Sequence, residues 1–306
     1  MLDDLAKLGP VLSMGVVGAL VLVWDFLPRA VLPAPRKTAL LVFALLGPAV
    51  SAVWTGVLLS NDSRGFAFAD SMVLDNFSAF FMFLFAAIAA AIIFSSQGYD
   101  QRFEERQPEY YALVLFASGA MMLLAASRDL ILIYISLELT GISQYIMAAL
   151  LRDERSSEAG MKYLLLGAVA SAVILYGMAF LFGMTGTTRL VAPAGEPSIA
   201  TAIAERGSDI RAGLVLSAVF LIAGFGFKMA VVPFQMWVPD VYEGSPTPVA
   251  AFLSVASKAA GFAVVMRIFF EGLADKSISG DWSDVFAVIA AVSMTAGNVM
   301  ALVQSN

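Results

Sequence analysis

Three ionisable residues sit inside long apolar stretches of this chain: Glu138 in LIYISLELTGISQYIM, Lys228 in LIAGFGFKMAVVPF and Lys258 in FLSVASKAAG. A charged side chain near the centre of a bilayer costs about 3 kcal/mol or more, so it faces a partner or water and marks an ion path by default. The sequence has no histidine and no cysteine. That removes the usual neutral-pH proton carrier, histidine-ligated haem, disulfides and thiolate-held zinc or iron–sulfur clusters. Proton chemistry here must rest on Lys, Glu, Asp, Tyr and water. Two readings of the trio stand side by side. A buried carboxylate and a buried ammonium can form an inert pair that fixes helix packing. Alternatively, a buried lysine carries a proton that it holds or releases according to the nearness of a counter-charge.

The backbone around Lys228 favours the second reading. Pro233 lacks an N–H, and its ring presses on the carbonyl of Met229, one residue after the lysine. Gly224 and Gly226 weaken the same stretch. The sequence therefore predicts a helix break between Met229 and Pro233, tolerated at membrane depth only beside protein or a wet cavity. Lys162, near the start of its own apolar segment, reads equally as a headgroup anchor and as a member of an ion path. Asp240 and Glu243, in WVPDVYEGSPTPV, are a candidate water entrance, although a brace for the Gly-Pro turn is the favoured reading. Arg128 and Asp129 read as interfacial anchors. Around Lys258, the small residues Ser254, Ser257, Ala259, Ala260 and Gly261 allow close helix approach and leave room for water. Gly224-Phe225-Gly226 lies mid-span with no strand before it, so it is no nucleotide-binding fingerprint.

The elements that must position these groups are membrane helices. The chain has 306 residues, 60% of them hydrophobic and only 14% charged, against roughly 25% charged in soluble domains. Its mean hydropathy is +0.84. The N-terminus, MLDDLAKLGP, is acidic and carries no plausible cleavable signal. A net charge of −6 spread over short loops offers no footprint for nucleic acid. Nine spans can be read, at about 10–27, 38–60, 74–96, 110–127, 130–151, 161–184, 211–232, 248–270 and 284–303. A half-helix is expected at 234–242, and SIATAIAER in the loop 185–210 reads as a short interfacial helix. With the N-terminus outside, inner loops carry Arg29, Arg36, Lys37, Arg102, Arg106, Arg152 and Arg155, against outer Lys7, Arg64, Arg128, Arg267 and Lys276. That is a weak positive-inside bias.

The segment FKMAVVPFQMWVPDVYEGSPTPVAAFLSVASKAAG, with LIYISLELTGISQYIMAAL and KYLLLGAVASAVILYGMAFLFGMTGTT upstream, resembles the antiporter-like membrane subunits of the proton-translocating NADH:quinone oxidoreductase, respiratory complex I. The likeness covers about residues 70–306. The YLLLGA…LYG…GTT texture is similar to the subunit N branch (the equivalent of mitochondrial chain 2) rather than to L and M. The resemblance implies an all-α polytopic membrane protein of antiporter-like fold. Its parts would be three N-terminal helices over 1–108, a five-helix proton-channel repeat with a broken seventh helix over 109–272, and the start of a second, inverted repeat over 273–306. The family continues beyond this point to a second lysine-bearing broken helix, so the sequence reads as C-terminally truncated.

By motif, Glu138, Lys228 and Lys258 match the family's proton-path residues, and Lys162 matches a lysine common at the start of the sixth helix. Gln235 stands in PFQMW where many members carry histidine. The implied role is proton movement coupled to quinone reduction elsewhere in the complex. No cofactor is expected in this chain; flavin, iron–sulfur clusters and quinone belong to other subunits. The implied partners are the complex I membrane subunits, especially antiporter-like subunit M and small subunit K, and the implied location is the bacterial inner membrane rather than an organellar one. The alternatives are a multisubunit cation/proton antiporter or membrane-bound hydrogenase subunit, and a non-pumping scaffold.

Overall fold

The computed structural model describes residues 2–24, 36–103 and 106–304. Among these, nine helices are long and apolar enough to cross a membrane. They are α1 (Leu2–Val23), α2 (Arg36–Ser60), α3 (Asn76–Ser95), α4 (Gln107–Ala126), α5 (Leu130–Ala148), α6 (Glu154–Thr185), α7 (Ile199–Met229), α9 (Thr247–Gly272) and α10 (Ser279–Leu302), with a half-helix α8 (Trp237–Gly244) between α7 and α9. Arg29 and the side chains of Arg36 and Lys37, counted above for orientation, lie outside the described residues.

Short polar residues set the helix starts. Asp75 and Ser78 form a capping box at α3, Asp129 accepts from Ile131 and Leu132 at α5, and Asp153 accepts from Ser156 at α6. Ser198 and Thr201 box the start of α7. Each cap satisfies N–H groups that the first helical turn leaves free. Gly186, at φ 76°, ends α6 in the left-handed region where glycine is at no disadvantage.

Helix α4 runs through the middle of the bundle, packed by α1, α2, α3, α5 and α9, and most of its side chains are buried. Helices α6 and α7 pack along each other as a long pair. At that contact Gly224 abuts Ile174 and the Ala170 carbonyl so closely that a Cβ there would collide. In α10 only Trp282 is buried.

Several expectations need correction. Helix α1 begins at Leu2 rather than near residue 10, because Lys7 is neutralised by Asp3 at 2.8 Å and donates to the Phe66 carbonyl at 3.1 Å. SIATAIAER is not a separate interfacial helix; the Ser198 cap starts a continuous 31-residue α7. The connection after α2 holds a small antiparallel hairpin, Gly65–Ala67 with Met72–Leu74, beyond the nine spans read from the sequence. The half-helix begins at Trp237, three residues later than read. Helix α9 is interrupted twice by wider π turns, at Leu253–Ser257 and Ile268–Gly272. The first of these directly precedes Lys258, and such turns often mark functional positions.

Candidate functional site

Helix α7 stops one residue after Lys228. Ala230 adopts a left-handed conformation (φ 57°), and its N–H and that of Val231 turn back to the Gly226 carbonyl. The peptide between Val232 and Pro233 is cis, and residues 233–236 are non-helical turns before α8. A broken helix exposes backbone groups that must find partners. Here Trp237 Nε1 donates to the Phe227 carbonyl at 3.0 Å, and the Val232 N–H donates to Ser293 Oγ of α10 at 3.0 Å. The break thus falls in the predicted interval. The two glycines divide the work: Gly226 lets Phe234 fold back over the helix end, where a Cβ would meet the ring at 2.6 Å, whereas Gly224 lies within the continuous helix and serves the α6 contact.

Lys228 is buried and sits in the last turn of α7, whose carbonyl end favours a cation. Its Nζ donates to Gln144 Oε1 of α5 at 3.0 Å. The same oxygen accepts from Tyr163 Oη of α6 at 2.9 Å and from Ser257 Oγ of α9 at 3.2 Å. Gln144 therefore gathers groups from three other helices onto one atom, while its Nε2 is buried without a hydrogen-bond partner.

Glu138 stands on α5, less than two turns before Gln144. Among the described residues no ion pair or hydrogen bond joins it to Lys228, whose Nζ is held by Gln144 instead. Its Oε1 is buried and unpartnered. The structure thus places Glu138 less than two helical turns from the residue that holds Lys228, without the contact pair that would make both inert.

Lys258 is separate from this junction by one residue of α9. Its Nζ donates to Tyr242 Oη of α8 at 2.5 Å and lies 5.8 Å from the Trp237 ring centroid, within cation–π reach. Trp237 in turn stacks on Tyr163 at 4.6 Å, so an aromatic pair spans from the Gln144 junction to Lys258. Lys258 faces a cavity of about 510 Å³ lined also by Gln235, Tyr242, Glu243, Met300 and Gln304.

The remaining expected residues gather along α8. Lys162 pairs with Asp240 at 2.6 Å and Glu158 at 2.8 Å, and Arg155 pairs with Glu243 at 2.8 Å. These pairs are exposed, and those to Asp240 and Glu243 tie α6 to the half-helix. Glu243 alone among them also lines the Lys258 cavity.

Gln144 and Tyr163 were not singled out from sequence, and Ser257 was read only as a small residue. Their signal is thin: a mid-span glutamine and two common hydroxyl residues. A second cluster was missed altogether. Arg267, counted above as a loop cation, is 1% exposed inside α9. It donates to both Asp75 oxygens at 2.7 Å, to Glu271 at 2.5 Å and to the Ala125 carbonyl at 3.0 Å. Arg128 joins the same carboxylates, at 2.7 Å to Glu271 and 3.5 Å to Asp75. Arg128 is thus part of a four-charge network built around the buried Arg267, and Asp129 is the α5 cap. Burial pushes the Asp75 carboxyl up, but the Arg267 guanidinium and the Ser78 bonds outweigh it and hold the carboxyl below its ordinary value.

Residues 127–306 match the family described as NADH:quinone oxidoreductase/Mrp antiporter, transmembrane. NADH-quinone oxidoreductase subunit N of Dehalococcoides mccartyi is 42% identical over 273 residues, covering 88% of this chain and 55% of that protein. The chain spans about half the length of the curated relatives it matches. Among solved structures, a chain of respiratory complex I from Thermus thermophilus with bound aureothin is 32% identical with a TM-score of 0.74, covering 96% of this chain and 58% of that one. A chain of an archaeal membrane-bound sulfane sulfur reductase shares the fold at 22% identity, with a TM-score of 0.71 and coverage of 94% and 56%. The matched segment contains the broken helix, Lys228, Lys258 and the Gln144 junction, and on this match the chain belongs to the NADH:quinone oxidoreductase/Mrp antiporter transmembrane family.

Proposed function

We propose that this chain forms the proton-conducting part of a subunit N-like component of NADH:quinone oxidoreductase, moving protons while quinone is reduced elsewhere in the complex. One observation carries the reading. A buried lysine stands at the end of a broken membrane helix, bonded to Gln144, and the carboxylate of Glu138 on the same helix as Gln144 does not pair with it. Lys228 is the exchangeable site. Glu138 is its counter-charge, and Lys258 is the onward carrier facing the cavity. An inert scaffold would instead be expected to close the Glu138–Lys228 pair, because an open buried charge is costly.

Glu243, which lines the Lys258 cavity, offers the polar entrance, while Asp240, Lys162 and Arg155 brace the half-helix against α6. Flavin, iron–sulfur clusters and quinone are assigned to other subunits. The partners are neighbouring membrane subunits of the complex, antiporter-like subunit M and small subunit K among them, in a bacterial inner membrane. The test is to purify the complex carrying the tagged full-length subunit. Co-purifying quinone-reductase subunits and NADH-driven proton pumping support the reading. A complex that exchanges cations for protons without a redox partner overturns it.

A further inference from the structure

We infer that Gln144 is the positioning residue that joins Lys228 to the onward path, reading the protonation state of the lysine by which end of its amide it presents. This rests on the proton-carrier reading of Lys228. The geometry supplies the argument. One carbonyl oxygen receives Lys228, Tyr163 and Ser257 at 3.0, 2.9 and 3.2 Å, each from a different helix. Three donors on one oxygen suit a junction built around a charged ammonium, which has N–H groups and no lone pair. The other end of the amide, Nε2, is buried with no partner, a state that is unfavourable for a donor.

Deprotonation changes what the site needs. When Lys228-NH3+ passes a proton through water to the neutral amine of Lys258, the products are Lys228-NH2 and Lys258-NH3+, and total charge is unchanged. Lys228 now carries a lone pair. A half-turn of the Gln144 amide brings Nε2 to the junction, where its two N–H groups find acceptors on the lysine nitrogen and on the hydroxyl of Tyr163 or Ser257. Both hydroxyls can accept as readily as donate. Ser257 directly precedes Lys258, and Tyr163 stacks on Trp237 beside Lys258. Reorganisation of the junction therefore falls on the groups flanking the next carrier. Glu138 is the charged group on α5, and it contributes no hydrogen bond to this junction.

The test uses the assembled holoenzyme and protons pumped per electron. Gln144→Met keeps length and volume but removes both amide ends, and should lower pumping to within twofold of Lys228→Ala at normal subunit content. Gln144→Glu keeps an acceptor for the ammonium but offers no N–H, and should also pump poorly. Wild-type pumping in Gln144→Met overturns the inference, and wild-type pumping in Gln144→Glu overturns the two-ended role. Wild-type pumping in Lys228→Ala would instead overturn the underlying function. If the Met variant does not assemble, isotope-edited infrared difference spectra of the wild-type complex decide. A glutamine side-chain carbonyl band that shifts on turnover and vanishes in Gln144→Met or in Gln144→Glu, whichever assembles, is expected; no shifting glutamine band in the wild type is the contrary result.

Discussion

Lys228 Nζ is hydrogen-bonded to Gln144 at 3.0 Å and is not in contact with Glu138. The carboxylate therefore acts on the lysine across a gap, and its effect should follow charge rather than shape. Glu138→Gln keeps volume and hydrogen-bonding capacity but deletes the charge. It should assemble, lose several-fold in coupled proton pumping and change the pH profile. Glu138→Asp should retain much more activity. Pumping by the two variants in inverted vesicles across pH 6–9 checks this; equal damage from both would show that shape matters instead.

The Asp75–Arg267 pair predicts a stability effect away from the proton path. Removing Arg267, the one buried member, leaves two carboxylates against the single cation of Arg128 and costs about 1–3 kcal/mol. Arg267→Met should therefore lower the temperature at which the subunit dissociates from the purified complex, with pumping per electron preserved in the fraction that assembles.

The same network has a pH signature. Asp75 has a folded-state value below the unfolded one, so its contribution is complete above the ordinary carboxylate range, near 3.9, and fades as pH falls through the lower folded value. The stability difference between wild type and Asp75→Asn should stay constant from pH 7 to pH 5 and shrink only below about pH 4. Thermal melts of the complex at these pH values give the answer.

At Gly224, a Cβ would run into Ile174 and lie 3.0 Å from the Ala170 carbonyl. Backbone cannot move aside as a flexible side chain can, so Gly224→Ala should prise α7 from α6 and cost about 1–3 kcal/mol. Gly183→Ala, where nothing lies within 4 Å, is the control and should be neutral or slightly stabilising. Subunit content of detergent-extracted complexes distinguishes the two.

These sites differ in how far the sequence reveals them. The break after Lys228 is legible because Pro233 removes a donor at a known offset, and the nine spans are legible because apolar runs are long. Glu138, Lys228 and Lys258 stand out because charge inside such runs is rare. Gln144 and Tyr163 do not, since a neutral polar side chain in a span is common and only packing shows that three helices aim at one oxygen. Arg267 misled for a related reason: it lies near a span end, where an arginine ordinarily snorkels to water, and its burial depends on Asp75, 192 residues away. The early start of α1 depends likewise on Lys7 finding Asp3 and the hairpin carbonyl of Phe66.

The central claim is that Lys228 carries the proton, and the most direct measurement is proton pumping per electron by the reconstituted complex bearing Lys228→Ala. With subunit content matching wild type, pumping should fall severalfold, while Lys228→Arg, which keeps a cation that does not deprotonate, should be impaired as well. Undiminished pumping in the assembled Lys228→Ala complex would contradict the account.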